Sequence, residues 1–368
     1  MPGKKATAKD VIIVGAGAAG IGVGAILKQL GIDFVILERS QIGASFLSWP
    51  EEMRFITPSF TSNSFGLLDL NAIALSTSPA YTLGTEHPSG KEYARYLQSV
   101  ALHFKLPIRT QVNVEKIEPT GNGFLVHSAT GQMQCKFVIW AAGEFQYPNT
   151  TSFEGSTLCR HSSTVSSWKE FVGEDFTVIG GGESGIDAAI NLALKGKKVR
   201  VLDGAATWNI RDPDPSLTLS PNTKDRLKHV NIELIAKDVK RVKHNGSEYI
   251  IYCQDGQQLY SPTQPILATG FSTSLVIVKE LFEFDSAGRL LLTENDESSR
   301  TPGLFLVGPQ VQHEGIIFCF IYKFRQRFAI VANAIAQRLG TDTSLLAEYK
   351  KHNMYLDDLS CCDDGCAC

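Results

Sequence analysis

Asp10-Val11-Ile12-Ile13-Val14-Gly15-Ala16-Gly17-Ala18-Ala19-Gly20 decides the fold of this chain. Its apolar run reads as a buried parallel strand that enters a glycine turn and then a helix. In that G-x-G-x-x-G turn, Gly15 permits the tight bend, Gly17 lets the backbone approach a pyrophosphate, and Gly20 allows the helix to pack close to the strand. The helix N-terminus, at Ala18 and Ala19, offers free N–H groups and a partial positive charge to a phosphate. Glycine turns are common, so the context carries the weight. An Ala-, Ile- and Leu-rich helix follows to about Leu30, and a second strand, Phe34-Val35-Ile36-Leu37, ends on Glu38. The separation 38 − 20 is eighteen residues, about where an acid that binds a nucleotide ribose belongs. The competing reading is an ordinary strand-to-helix turn.

The second half repeats the device. Phe176-Thr177-Val178-Ile179 reads as a strand, Gly180-Gly181-Gly182-Glu183-Ser184-Gly185 as a second glycine turn, and a helix runs to about Leu194. The strand Lys198–Leu202 then ends on Asp203, and 203 − 185 is again eighteen. Two copies at matching spacing predict two dinucleotide sites in one chain. The sequence therefore predicts an α/β fold: a Rossmann-like domain with a second Rossmann-like domain inserted into it. The expected division is 1–152 and 271–350 for the first domain, 153–270 for the insert, and 351–368 for a tail.

At 368 residues the chain is long enough for two or three cores. A hydrophobic content of 43% and a net charge of −3 are ordinary for a globular protein and argue against nucleic-acid or anionic-membrane partners. Met1-Pro2-Gly3-Lys4-Lys5 leads straight into the first strand without an apolar leader, and no apolar run is long enough to span a bilayer, so the expected location is the cytoplasm. A homodimer is left open.

Other elements are legible locally. Ser89-Gly90-Lys91-Glu92 is a capping box that opens a helix to about Phe104, with Tyr93, Tyr96, Leu97 and Val100 on its core face. Strands are expected at Ile108–Val114, Gly123–Ser128, Phe137–Gly143, Pro265–Gly270 and Gly303–Gly308, and a closing helix at Ile321–Leu339. The stretch from Ser40 to Pro88 is irregular and rich in aromatics, which suits a cofactor wrap or pocket wall. Phe60, Phe65, Tyr81 and Trp208 are candidate pocket aromatics; core packing is the alternative for each.

The chain resembles the two-dinucleotide-binding-domain flavoproteins, the flavin-containing monooxygenases and the thioredoxin- and glutathione-reductase-like enzymes, over about residues 9 to 340. The resemblance implies FAD at the first fingerprint, held by Gly15, Gly17, Ala18, Ala19, Gly20 and Glu38, and NAD(P)H at the second, held by Gly180, Gly182, Glu183, Ser184, Gly185 and Asp203. Ala141-Ala142-Gly143 and Ala268-Thr269-Gly270 match the family's inter-domain motifs, and Gly308 its late FAD motif, in which Pro309 replaces the usual Asp. Ala142, Gly143, Thr269, Gly270 and Val112 join the implied cofactor set. The turn Gly43–Pro50, with Ser45 and Trp49, is similar to that of the monooxygenase branch. No cysteine precedes Cys135, and Cys159-Arg160-His161 holds one cysteine where a reductase would hold a pair. The linker Phe153-Glu154-Gly155 departs from the monooxygenase pattern in placing Cys159 where a His is expected. Asp203 favours NADH over NADPH, with Arg200 and Arg211 near enough in sequence to offset it. The implied activity is hydride transfer from NAD(P)H to flavin, then to O₂ and a small-molecule substrate.

Cys361, Cys362, Cys366 and Cys368 crowd the C-terminus. They read as a thiol relay to a disulfide acceptor, as a soft-metal trap, or as an inert tail. The alternatives to the monooxygenase-like reading are accordingly a thiol- or metal-linked reductase and a non-catalytic redox or metal sensor. Cys319 is expected to be a buried structural thiol, while His313 and Glu314 are candidate proton-relay groups and His161 a candidate for orienting the nicotinamide or the linker.

Overall fold

A computed structural model describes residues 8–60, 68–313 and 315–359. Its first sheet runs in parallel from Ile108–Arg109 through Phe34–Leu37 and Ala8–Val14 to the long strand Gly131–Trp140. The first half of that long strand carries the antiparallel hairpin Val114–Thr120 and Gly123–Ser128. Its second half pairs in parallel with Leu304–Leu306, which brings the late segment of the chain into the same sheet. Strands buried on both faces must be apolar throughout, and Val11, Ile12, Ile13, Val138 and Ile139 have no exposed surface.

The first fingerprint helix, Ala18–Gln29, is buried from Ala18 to Leu27. Its small residues serve packing: a Cβ on Gly22 would collide with the ring of Phe328, so glycine there admits the closing helix.

A second sheet, all parallel, is ordered Glu233–Ile235, Lys198–Leu202, Asp175–Ile179, Ile266–Leu267, Arg160–His161. The helix Glu183–Ala193 packs on it, and a three-stranded antiparallel sheet, Val239–His244, Tyr249–Cys253 and Gln258–Ser261, lies beyond. The first sheet thus draws on both ends of the chain and the second on its middle.

The capping box forms as expected: Ser89 Oγ accepts from Glu92 N–H, Ser89 N–H donates to Glu92 Oε2 at 2.8 Å, and the helix spans Gly90–His103. Tyr93, Tyr96, Leu97 and Val100 are buried on it.

Three expected elements are corrected. The strand Ile108–Val114 is two strands, because Gln111 takes a left-handed φ of 59° and turns the chain from the parallel sheet into the hairpin. The strand Pro265–Gly270 shortens to Ile266–Leu267. The helix Ile321–Leu339 is broken into Ile321–Phe324, a 3₁₀ turn Arg325–Arg327, and Phe328–Leu339. The cause is two buried arginines. Arg325 donates to the carbonyls of Asp69 and Ala72, at 2.5 and 2.7 Å, and Arg327 donates to the carboxylate of Asp296 and the carbonyl of Leu356. Among the described residues no helix is long and apolar enough to cross a membrane.

Candidate functional site

The two glycine turns match contact by contact. Gly15 has φ 107° and Gly180 φ 111°, a conformation that L side chains rarely adopt. A Cβ on Gly15 would lie 2.5 Å from the carbonyl oxygen of Ala141, and one on Gly180 would strike that of Ala268. A Cβ on Gly20 would strike the Gly15 carbonyl, and one on Gly185 the Gly180 carbonyl, so each helix sits hard against its strand. Gly17 and Gly182, by contrast, have open space where a side chain would stand, and each is the N-cap of its helix with no side-chain cap. Open backbone and uncapped helix N–H groups suit a pyrophosphate at both turns. These residues fit one dinucleotide apiece.

The acids at the strand ends differ in detail. Glu38 is buried, and its two oxygens accept from Ala16 N–H at 2.8 Å and Ser40 N–H at 2.7 Å. Asp203 accepts from Thr207 N–H and Oγ1 at 2.8 and 2.7 Å through one oxygen, Oδ2. Arg200, expected to offset Asp203, is committed elsewhere: it donates to Thr177 Oγ1, Asp175 and the Tyr260 carbonyl.

One cavity of about 520 Å³ joins the two turns. Gly15, Gly17, Ala18, Ala19, Glu38, Ser45, Trp49, Val112, Ala142 and Gly143 line it from the first sheet, and Glu183 and Ser184 from the second. Gly20, Gly180, Gly182, Gly185, Asp203, Thr269, Gly270 and Gly308 do not line it, and Pro309 does. Thr269 Oγ1 donates to the Asn149 carbonyl, which ties the two inter-domain crossings together. The Trp-containing turn is a short helix, Ala44–Leu47, whose N-cap Gly43 donates to the Ala16 carbonyl. Phe46 on that helix stacks on Phe55 and meets Tyr93 edge-on, and the Phe55 and Tyr93 ring centroids are 4.4 Å apart.

Several expectations are corrected. Phe60 and Tyr81 are exposed, and Trp208 packs beside Gly181 off the cavity; Phe65 lies outside the described residues. His161 Nε2 meets the Gly270 carbonyl and Nδ1 meets Ser163 Oγ, contacts that agree with the linker rather than the nicotinamide alternative, and burial lowers its pKa. His313 meets buried Asp296, 2.5 Å away, and does not line the cavity; Glu314 lies outside the described residues. Cys319 is exposed at the cavity wall, and its thiol donates to Ser216 Oγ at 3.1 Å. Burial of the sulfur still raises its pKa. Cys135 and Cys159 are buried, with thiols pushed up to about 12. The cluster Cys361, Cys362, Cys366 and Cys368 lies outside the described residues.

The cavity also holds acids that the sequence reading passed over or placed differently. Glu183 turns its carboxylate from the glycine turn to Ser220 N–H and Thr223 Oγ1, and burial raises its pKa. Asp187, one turn on, accepts from Arg226 at 2.7 Å through one oxygen, while the other oxygen is buried without a partner. Glu144 lines the cavity directly after Ala142-Gly143, a position that the inter-domain motif could have flagged.

A protein-family model described as pyridine nucleotide-disulphide oxidoreductase matches residues 12–308. The uncharacterized oxidoreductase CzcO of Bacillus velezensis is 31% identical over 192 residues, 50% of this chain and 52% of that one. The chain thus spans about half the length of the curated relatives it matches at that identity. The bacillithiol disulfide reductase Bdr (YpdA) of Staphylococcus aureus superposes with a TM-score of 0.72 at 20% identity, covering 90% of this chain and 99% of that one. A flavin-containing monooxygenase from Stenotrophomonas maltophilia does so with a TM-score of 0.67 at 16% identity, covering 90% and 99%. The two likenesses are of fold.

Proposed function

The chain belongs to the pyridine nucleotide-disulphide oxidoreductase family, and from that premise we propose that it is an FAD-dependent NAD(P)H oxidoreductase of the flavin-containing-monooxygenase-like type. The single observation that carries this reading is that residues of both glycine turns, Gly17 and Ser184 among them, line one cavity. Bound FAD would supply the redox chemistry, taking a hydride from the nicotinamide and passing electrons on. The protein's part is to hold and orient. The N-termini at Ala18 and Glu183 take the pyrophosphates, Glu38 takes a ribose, and the wall formed by Trp49, Val112 and Ala142 excludes water. Anaerobic addition of NADH or NADPH to purified protein tests it. Bleaching of bound flavin is expected; protein that carries no FAD, or FAD that neither nucleotide reduces, contradicts it.

NADH is the favoured donor. Asp203 would accept from a free ribose 2′-OH and repel a 2′-phosphate, and Arg200 is already engaged. Asp203→Ala should therefore raise the NADPH-to-NADH ratio of kcat/KM for flavin reduction by about tenfold. An unchanged ratio would remove Asp203 from nucleotide choice.

A second reading rests on Cys319, the one described cysteine on the cavity wall. In it, electrons leave through thiols, with the C-terminal cysteines carrying them to a disulfide or soft-metal acceptor. Deleting residues 361–368 separates the two. The monooxygenase-like reading expects NADH-driven O₂ consumption in the presence of substrate to persist. The thiol-linked reading expects flavin reduction to persist and turnover of the acceptor to vanish.

A further inference from the structure

Lys323 is a buried cation whose partners stand on the other half of the molecule. It belongs to the helix Ile321–Phe324, which follows the last strand of the first sheet, and is 5% exposed. Its Nζ donates to Asp214 Oδ1 at 2.6 Å and to Ser216 Oγ at 2.9 Å. Both lie on the loop that leaves the second sheet after Asp203. Among the described residues these are the hydrogen bonds of that ammonium, so its counter-charge comes from across the seam between the two sheets. The Cys319 thiol reaches over the same seam to Ser216 Oγ, at 3.1 Å.

The loop is stiff and is tied at both ends beside the second glycine turn. Pro213 and Pro215 fix its backbone, and Asp214 Oδ1 also accepts from Ser216 N–H at 2.8 Å, which caps the 3₁₀ turn Pro215–Leu217. At its start Thr207 donates to Asp203. At its end Ser220 N–H and Thr223 Oγ1 donate to Glu183, the first residue of the helix after that turn. Pro215 and Ser216 line the cavity from the loop, and Cys319, Phe320, Ile321 and Phe324 line it from the other side. Lys323 does not line the cavity and acts from behind its wall.

A buried ammonium that loses its counter-charge is costly, so the place of Lys323 is favourable only with the loop docked. Apolar surfaces tolerate sliding; a short charged hydrogen bond accepts one register. We propose that Lys323 is a positioning residue for hydride transfer: through Asp214 and Ser216 it sets the register of the second half against the first, and with it the place of the nicotinamide against the flavin. The inference rests on the FAD-dependent reading above and concerns how that cavity is assembled. Glu52, on Ser167 and Trp168, and His87, on Asn222, also bridge the two halves, so removing Lys323 shifts the register without parting them.

The test mixes FAD-loaded native protein, Lys323→Met, Lys323→Arg and Asp214→Asn with NADH under anaerobic stopped flow. Lys323→Met should lower the limiting rate of flavin bleaching about tenfold while the Kd for NADH stays within about twofold. The long-wavelength absorption of reduced protein mixed with NAD⁺, which reports contact between the nicotinamide and flavin rings, should fall as well. Lys323→Arg should recover part of both. Before NADH is added, maleimide labelling of Cys319, resolved by peptide in the full chain, should be several times faster in Lys323→Met, because Ser216 is no longer held beside the thiol. Asp214→Asn removes the charge from the loop, where the carboxylate is partly exposed, and should give the same pattern even where Lys323→Met does not fold. A native limiting rate in the folded variants overturns the inference. So does a loss that lies in NADH affinity alone, or a slower rate with native absorption and native Cys319 labelling. Native protein that bleaches, with variants that bleach equally fast, refutes this inference alone. Native protein without FAD, or with FAD that does not bleach, refutes the parent reading.

Discussion

Gly17→Ala is expected to fold but not to retain FAD. A methyl at this position meets no protein atom within 4 Å, so the strand, helix and core are undisturbed, and thermal unfolding should match the native apoprotein. The same methyl enters the space in which backbone and pyrophosphate must meet. FAD affinity should fall about a hundredfold or more, roughly 3 kcal/mol, which flavin release on dialysis reads directly. Gly15→Ala is the contrasting case. Its Cβ would lie 2.5 Å from the Ala141 carbonyl oxygen, at a φ of 107°, so the loss should be of folded protein as well as of cofactor. Gly17→Ala protein that keeps its FAD would mean that the first turn does not hold the pyrophosphate.

The largest stability effect is expected at Arg327. It is 1% exposed and donates to both oxygens of Asp296, which is fully buried, and to the Leu356 carbonyl. Asp296 also meets His313, and it holds a left-handed φ of 59°. Arg327→Met would leave a buried carboxylate without its main counter-charge, and removing one partner of such a pair costs about 3–5 kcal/mol. It would also release the segment around Leu356, where Met354 is fully buried against the core. Urea unfolding checks the magnitude, and limited proteolysis after residue 350 checks the release. The exposed pair Lys91–Glu51 is the control: with side chains 63% and 50% exposed, Lys91→Met should change stability by no more than about 1 kcal/mol. A loss at Arg327 no larger than at Lys91 would show that the triad is not what fixes the C-terminal segment.

The contrast between these sites explains what could be read in advance. The glycine turns are local. Strand period, turn geometry and helix start all fall within about twenty residues, and the second copy repeats the first, so the fold class and both glycine turns followed from sequence. The capping box at Ser89 was legible for the same reason. What escaped is non-local. The helix beginning at Ile321 reads as continuous, yet Arg325 and Arg327 reach carbonyls and carboxylates far away in the chain and break it into a 3₁₀ turn. Cys319 sits in an apolar run that suggests burial, yet that run passes along the cavity wall. Glu144 looks like any polar residue after a strand. Its place on the cavity wall emerges only once the chain around Phe271 and Cys319 is folded against it. Of the expected aromatics, Tyr81, 84% exposed, is on a surface helix and Phe60 and Trp208 are off the cavity, whose rings include Phe55, Phe145, Phe271 and Phe320.

The central claim is that one cavity brings two dinucleotides together, and anaerobic titration of the FAD-loaded protein with NADH tests it most directly. The account predicts that one NADH, two electron equivalents, bleaches one FAD in full-length protein and in protein lacking residues 361–368 alike. Four or more equivalents taken up by the full-length chain would transfer the redox role to its thiols. Flavin that stays oxidised with excess NADH and with NADPH would contradict the account.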